Sequence, residues 1–169
     1  VDPEYFIIEN FLTPEACDML IEHVPTGHTA SVLDLNTPIK DKAKRDTQLT
    51  FLEPDSMVGL VYMYAAKKIN EQILKYDVGG FYVPHIDVLP TSPTQRQRKI
   101  SFSVALNSPN EYEGGEFIVY PMANPDGVPL KLPKGDAVVF PSFLCHSASV
   151  IKEGTRYSST AWIQGENWR

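Results

Sequence analysis

From about residue 76 onward the chain is interrupted every few residues by turn-forming pairs, and that spacing restricts it to short strands. Gly79-Gly80, Pro90 to Pro93, Ser108-Pro109-Asn110, Gly114-Gly115, Asn124 to Gly127, Pro133-Lys134-Gly135 and Glu153-Gly154 each supply a backbone break. Many short strands with little helix among them predict a mainly β fold, a sandwich or jelly roll with helices packed outside it.

The first third has a different texture. A short apolar run, Tyr5 to Ile8, precedes Thr13-Pro14, a capping residue followed by proline at the first helical position. Ala16, Cys17, Leu20, Ile21 and Val24 then share one helical face, and Met57, Leu60, Val61, Tyr64, Ala65, Ile69 and Ile73 mark a longer second helix after Pro54. The stretch between them, roughly 25 to 50, is polar and irregular and reads as a mobile loop. The length of 169 residues suits one domain, 1–169, with a helical support region over 1–75 and a strand-rich core over 76–169.

Composition narrows the partners. An apolar fraction of 43%, with 11% aromatic, is that of a globular protein, and no run of about 18 apolar residues could cross a bilayer, so no membrane is expected. Only Cys17 and Cys145 could pair, which gives no disulfide framework and favours a reducing, cytoplasmic setting. No charged leader precedes an apolar stretch, while the absent start methionine leaves room for an upstream segment. The net charge of -6 opposes a broad phosphate-binding surface and makes nucleic acid an unfavoured partner.

His85 and Asp87 are two apart in Phe81-Tyr82-Val83-Pro84-His85-Ile86-Asp87, a strand-like segment in which alternate side chains share a face. Both can reach one ion. Two imidazoles and a carboxylate on one face of an ion leave three positions open, which lets Fe(II) take a bidentate co-substrate and then oxygen. His23 and His28 flank a helix end and suit capping or solvent-facing roles, so His146 is the choice for the third ligand. A bare His-x-Asp is a weak signal, because an isolated buried histidine is more often a hydrogen-bonded core residue.

Arg156 strengthens it, lying ten residues after His146 beyond Lys152-Glu153-Gly154-Thr155. If that turn closes a hairpin, Arg156 sits on a neighbouring strand about 16 Å from the His146 level, a gap that a chelating dicarboxylate would largely fill. The guanidinium offers a planar fork for the far carboxylate. Ser158, Thr160 and Trp162 share the parity of Arg156, adding small polar groups and an aromatic wall. Along Ile100 to Asn107, Phe102, Val104 and Leu106 alternate with Ser101, Ser103 and Ala105, so one face fills a core and the other leaves space for a ligand, although a half-exposed strand reads the same way.

These residues, in this order, resemble a known family. Tyr76-Asp77-Val78-Gly79-Gly80, His85-Ile86-Asp87, Leu106-Asn107, Tyr112 to Phe117, Lys134 to Pro141, and His146 followed by Gly154 to Ser158 are similar to the catalytic domain of prolyl 4-hydroxylase-type 2-oxoglutarate and Fe(II)-dependent dioxygenases, particularly bacterial and phage-type relatives. Glu9 to Cys17 resembles the entry into their first helix. The resemblance implies a double-stranded β-helix, iron at His85, Asp87 and His146, and the 2-oxoglutarate distal carboxylate on Arg156. It implies that Tyr76 reaches the co-substrate pocket, that Tyr82 and Trp162 border a substrate proline, and that Arg98 contacts substrate peptide. One position departs: Ala105 stands where some prolyl hydroxylases carry a second co-substrate tyrosine, which leaves Tyr76, Ser158 or Thr160 to support the carboxylate.

The implied reaction couples decarboxylation of 2-oxoglutarate to hydroxylation of an unactivated carbon by O2, with ascorbate a candidate supporting reductant. Such chemistry needs exclusion of water. Leu89 to Lys99, with Pro90, Pro93, Arg96, Arg98 and Lys99, follows the ligand strand and is expected to serve as a lid or as an ordinary exposed loop. A prolyl or other residue of a peptide or protein is the first expectation for substrate, and a free amino acid or small metabolite the second. A catalytically silent ligand-binding β-domain is the non-enzyme alternative, opposed by the intact iron and co-substrate residues.

Overall fold

The computed structural model describes residues 4–22, 28–29, 32–34, 37–39, 41–51, 69–88 and 96–166. The elements run β1 (Phe6–Ile8), α1 (Pro14–Glu22), β2 (His28–Thr29), β3 (Val32–Asp34), β4 (Thr37–Ile39), β5 (Arg45–Asp46), β6 (Gln48–Phe51), β7 (Ile69–Tyr76), β8 (Phe81–His85) and β9 (Gln97–Ala105). They continue as β10 (Tyr112–Gly114), β11 (Phe117–Val119), β12 (Val128–Leu130), β13 (Ala137–Pro141), β14 (His146–Ala148), β15 (Ile151–Gly154) and β16 (Arg156–Gly165).

A seven-stranded sheet has the order β1-β13-β9-β16-β7-β6-β2, and a five-stranded sheet the order β12-β11-β14-β8-β5. From β7 on, the chain passes back and forth between them: β7, β9, β13 and β16 lie in the larger sheet, and β8, β11 and β14 in the smaller. Every neighbour pair of the two sheets is antiparallel. This alternation is the winding of a jelly roll.

Strand parity assigns each face of the larger sheet. Ala105, Val138 and Phe140 pack inward against Phe117 and Val119 of the smaller sheet, and Leu74 and Tyr76 pack with Ala148 and Ile151. The neighbouring residues Ile73, Val104 and Ala137 point the other way, onto Cys17 and Leu20 of α1. Leu20, 1% exposed, contributes roughly 2 kcal/mol by its burial there. Helix α1 starts as its sequence requires, with Thr13 Oγ1 accepting from the Ala16 N–H at 3.2 Å and Pro14 in the first turn.

Three sequence expectations need correction. The second helix, drawn from Met57 to Ile73, lies outside the described residues up to 68, and its end is strand β7. Ile69 and Ile73 are four apart, which suits a helix turn and also two strand periods, and β7 is buried on both faces, so the alternation is hidden. Among the described residues of 1–75, α1 is the one helix, and the stretch expected as an irregular loop contains β2 to β6. Finally, Lys152 to Thr155 does not close a hairpin. Residues 151–154 form β15, which pairs with β10, and β16 then enters the larger sheet beside β7 and β9. Arg156 is therefore on the sheet facing the His146 strand, not on its neighbour. Of the expected lid, 89–95 lie outside the described residues and Gln97 to Lys99 already belong to β9.

Candidate metal centre

The register of β8 and β14 places His146 directly opposite His85, so two imidazoles meet across adjacent antiparallel strands with ring centroids 4.2 Å apart. Asp87 lies just past the end of β8, where its N–H donates to the Ser142 carbonyl at 2.8 Å. That bond, not strand alternation alone, turns the carboxylate toward the rings. Its Oδ1 is 3.8 Å from His85 Nε2 and its Oδ2 is 3.6 Å from His146 Nε2. The three ligand atoms all lie within 4.8 Å of one another. An ion with bonds of about 2.1 Å holds adjacent donors about 3 to 3.4 Å apart, so a small contraction suffices.

The donors are preset for a cation. His85 Nδ1 donates to the Val83 carbonyl at 2.9 Å and His146 Nδ1 to the Leu144 carbonyl at 3.0 Å. A carbonyl only accepts, so Nδ1 carries the proton and the Nε2 lone pairs face the centre. Burial, and then the neighbouring His146, push the His85 pKa down to about 3, which keeps this imidazole neutral. Burial opposes ionisation of Asp87, but His146, His85 and a hydrogen bond from Ser101 outweigh it and hold the carboxyl below its ordinary range. The Ser101 hydroxyl donates to Oδ2 at 2.7 Å and lies 2.9 Å from the Ser142 hydroxyl.

Aromatic and cationic groups wall the centre. Tyr82 stacks on His85 at 3.6 Å, and Phe140 and Phe117 pack on His146 at 4.7 and 5.5 Å. Arg98 sits with Cζ 3.6 Å above the Trp162 ring and Nη1 3.9 Å from Asp87 Oδ1. Trp162 Nε1 reaches toward the same carboxylate without closing a well-formed hydrogen bond. Arg45, 8% exposed, lies with Cζ 4.5 Å over Tyr82.

The inner face of β16 forms the second half of the site. Arg156 is 5% exposed, pairs in register with Tyr76, and has its Cζ 5.3 Å from that ring. Asn107 fixes it from both sides, donating to the Thr155 carbonyl at 2.9 Å and accepting from the Tyr157 N–H at 2.8 Å. Gly115 lies so close that a Cβ there would be 2.2 Å from Ile151 Cδ1 and 3.2 Å from Arg156 Cδ, at a φ of +65°. No carboxylate among the described residues pairs with Arg156, and the buried hydroxyls of Ser158 and Thr160, one and two strand periods along, have no partner there. Each such group left unsatisfied costs about 1–3 kcal/mol, so this face is built for a polar occupant. A dicarboxylate chelating an ion at the triad suits this donor set.

The structure thus brings His85, Asp87 and His146 into one cluster, lines it with Tyr82, Arg98 and Trp162, and puts Tyr76, Arg156, Ser158 and Thr160 on the facing sheet. Sequence reading missed Ser101 as a partner of Asp87, although its place on the small face of Ile100 to Asn107 was visible. It missed Arg45 and Ser142, which carry no local motif and arrive only through sheet pairing, and it held Phe117 and Phe140 within segments of the resemblance without giving either a role at the site.

The model of the 2OG-Fe(II) oxygenase superfamily matches residues 71–164, more than half of the chain. The chain belongs to that superfamily. The oxygenase is 28% identical over 149 residues to a PKHD-type hydroxylase of Paracoccus denitrificans, an alignment covering 76% of this chain and 65% of that one. It spans between 38% and 65% of the first three curated relatives it matches. Its fold matches a Pseudomonas putida prolyl-4-hydroxylase with a TM-score of 0.78 at 16% identity, covering 99% of this chain and 95% of that one. It also matches a Trichoplax adhaerens prolyl hydroxylase, solved with a hypoxia inducible factor peptide fragment, with a TM-score of 0.73 at 17% identity and coverage of 95% and 83%. These likenesses establish the oxygenase fold, and the superfamily is one that works with Fe(II) and 2-oxoglutarate.

Proposed function

We propose that this oxygenase holds Fe(II) on His85, Asp87 and His146, binds 2-oxoglutarate with its distal carboxylate on Arg156, and hydroxylates a prolyl residue of a peptide or protein, releasing succinate and CO2. The observation that carries the reading is the buried Arg156 with no described carboxylate partner, beside Ser158 and Thr160, on the sheet facing a His-Asp-His cluster. When bound, the iron with its co-substrate activates O2 for attack on a C–H bond.

The chain's own residues do the rest. The backbone carbonyls of Val83 and Leu144 fix the imidazole tautomers, and Ser101 fixes the carboxylate. Tyr76, Ser158 and Thr160 support the distal carboxylate, with Ala105 leaving room beside Ser158. Tyr82 and Trp162 border the substrate ring and Arg98 orients the substrate, supported by their places around Asp87 and His85. Phe117 and Phe140 keep water from His146. The prolyl assignment rests on the fold shared with prolyl hydroxylases and on the aromatic pair, and the chain is read as one catalytic domain.

A cytoplasmic setting is supported by two unpaired cysteines, Cys17 and Cys145. Among the described residues no helix is long and apolar enough to cross a membrane.

Succinate release from Fe(II), 2-oxoglutarate and O2, stimulated by proline-containing peptides, tests the proposal. Metal-loaded protein that never consumes 2-oxoglutarate with any peptide or amino acid would contradict it.

A further inference from the structure

The inner face of β7 carries a polar side chain outside both the metal cluster and the seat of Arg156. Gln72 is 9% exposed and shares the parity of Leu74 and Tyr76, so it points into the sandwich, while Ile73 points to α1. It stands directly opposite Thr160, whose Oγ1 is buried and unpartnered. Gln72 and Thr160 do not bond to each other, and no described residue bonds to the Gln72 carboxamide. Two polar groups of one cross-strand pair are thus both left open toward the interior.

The place of Gln72 in the sheet points to its occupant. The row of Arg156 and Tyr76 lies four residues away, about 13 Å along the strands, whereas the row of Trp162, which reaches toward Asp87, lies two residues away, about 7 Å. Leu74 belongs to the cluster on which Tyr82 packs, and Gln72 follows it on the Trp162 side. Gln72 therefore lies between the two aromatic side chains proposed to border the substrate. A carboxamide offers two N–H donors and a carbonyl acceptor, whereas 2-oxoglutarate at neutral pH carries acceptors only and cannot satisfy both ends. A buried amide oxygen left without a donor is costly, so the group suits a ligand with both functions. The main-chain N–H and C=O of one residue in an extended peptide point to the same side and present that pair. Proline has no N–H, so the residue gripped is a neighbour of the target.

We propose that Gln72 is a substrate-binding residue whose carboxamide pairs with the main-chain N–H and C=O of a residue flanking the hydroxylated one, so that the site selects a peptide over a free amino acid. This inference rests on the oxygenase reading of the site and deepens its peptide assignment.

The probe is acetylated, amidated Ala-Ala-Pro-Ala-Ala, compared with analogues in which lactic acid replaces one alanine at a time and so exchanges a single N–H for an ester oxygen. Binding to protein loaded with Mn(II) and 2-oxoglutarate is measured by calorimetry, and succinate release with Fe(II) is followed separately. One ester should bind the native protein about ten-fold more weakly than the parent, the loss of one buried hydrogen bond. Gln72→Leu should bind the parent peptide about as weakly and no longer distinguish it from that ester, with 2-oxoglutarate affinity unchanged. Gln72→Glu keeps an acceptor for the N–H and should still distinguish them. Native binding indifferent to every ester, no binding of the peptide, or a Gln72→Leu protein that discriminates as the native one does would overturn the inference, as would weakened 2-oxoglutarate binding with peptide binding intact. Ester discrimination that depends on Gln72 without succinate release would keep the inference and overturn the prolyl reading, whereas peptide-stimulated succinate release indifferent to Gln72→Leu would do the reverse.

Discussion

The two sheets treat their polar groups differently. On the smaller sheet, His85 and His146 each spend Nδ1 on a backbone carbonyl two residues back, and Asp87 is held by Ser101 and Ser142. On the facing strand β16, Arg156 has no described carboxylate partner and the buried hydroxyls of Ser158 and Thr160 are unpartnered. A metal site must be geometrically finished before the ion arrives, because its donors have to be deprotonated and aimed. A pocket for a polar co-substrate must instead leave its hydrogen bonds open, since the ligand completes them. The roles proposed for the two halves rest on this contrast between a satisfied face and an unsatisfied one.

Removing a ligand from the finished face should do the most damage. His146→Ala is expected to lose stoichiometric Fe(II) and all measurable 2-oxoglutarate consumption, read by metal analysis of the purified protein. Retained stoichiometric metal would erase the distinction between the faces.

On the open face, Arg156→Met should keep the metal and weaken 2-oxoglutarate binding by about two to three orders of magnitude, the usual cost of truncating one partner of a buried charge pair. Calorimetric titration of the metal-loaded variant reads this directly. Unchanged affinity would place the distal carboxylate elsewhere.

Ser101→Ala probes how finished the metal face is. Loss of its hydrogen bond to Asp87 should lower metal affinity about ten- to a hundred-fold, with 2-oxoglutarate binding at saturating metal nearly unaffected.

The smallest effect is on stability against pH. His85 has a folded pKa of about 3 against an ordinary 6.5, so between those values the unfolded chain binds a proton that the fold does not. The metal-free protein should therefore unfold at lower temperature as pH falls below 6.5, with Asp87 adding its own loss only at the acid end, below 3.8. His85→Gln should flatten the upper part of that fall, and equal slopes for the two proteins would contradict the buried, neutral imidazole.

Much of this site was legible because its parts are local. His85 and Asp87 are two residues apart, and Arg156, Ser158, Thr160 and Trp162 keep one parity along a single strand. What lay beyond reach depended on pairing across the sandwich. The hairpin condition on Arg156 fails because nothing in Lys152 to Thr155 tells that β15 turns to β10 and that β16 joins β7. Strand β7 carries a pattern that also fits the end of a helix because, with α1 on one face and the smaller sheet's residues on the other, it has no polar side to betray its period. Arg45 sits in a polar stretch with no pattern of its own, and only the register with Tyr82 brings it to the site.

A crystal structure of the protein with Mn(II) and 2-oxoglutarate tests the central claim most directly. The ion should bind both Nε2 atoms and the Asp87 carboxylate, with the co-substrate's far carboxylate on the Arg156 guanidinium between Tyr76 and Ser158. An ion away from the triad, or a far carboxylate turned toward Arg45 and Arg98, would contradict it.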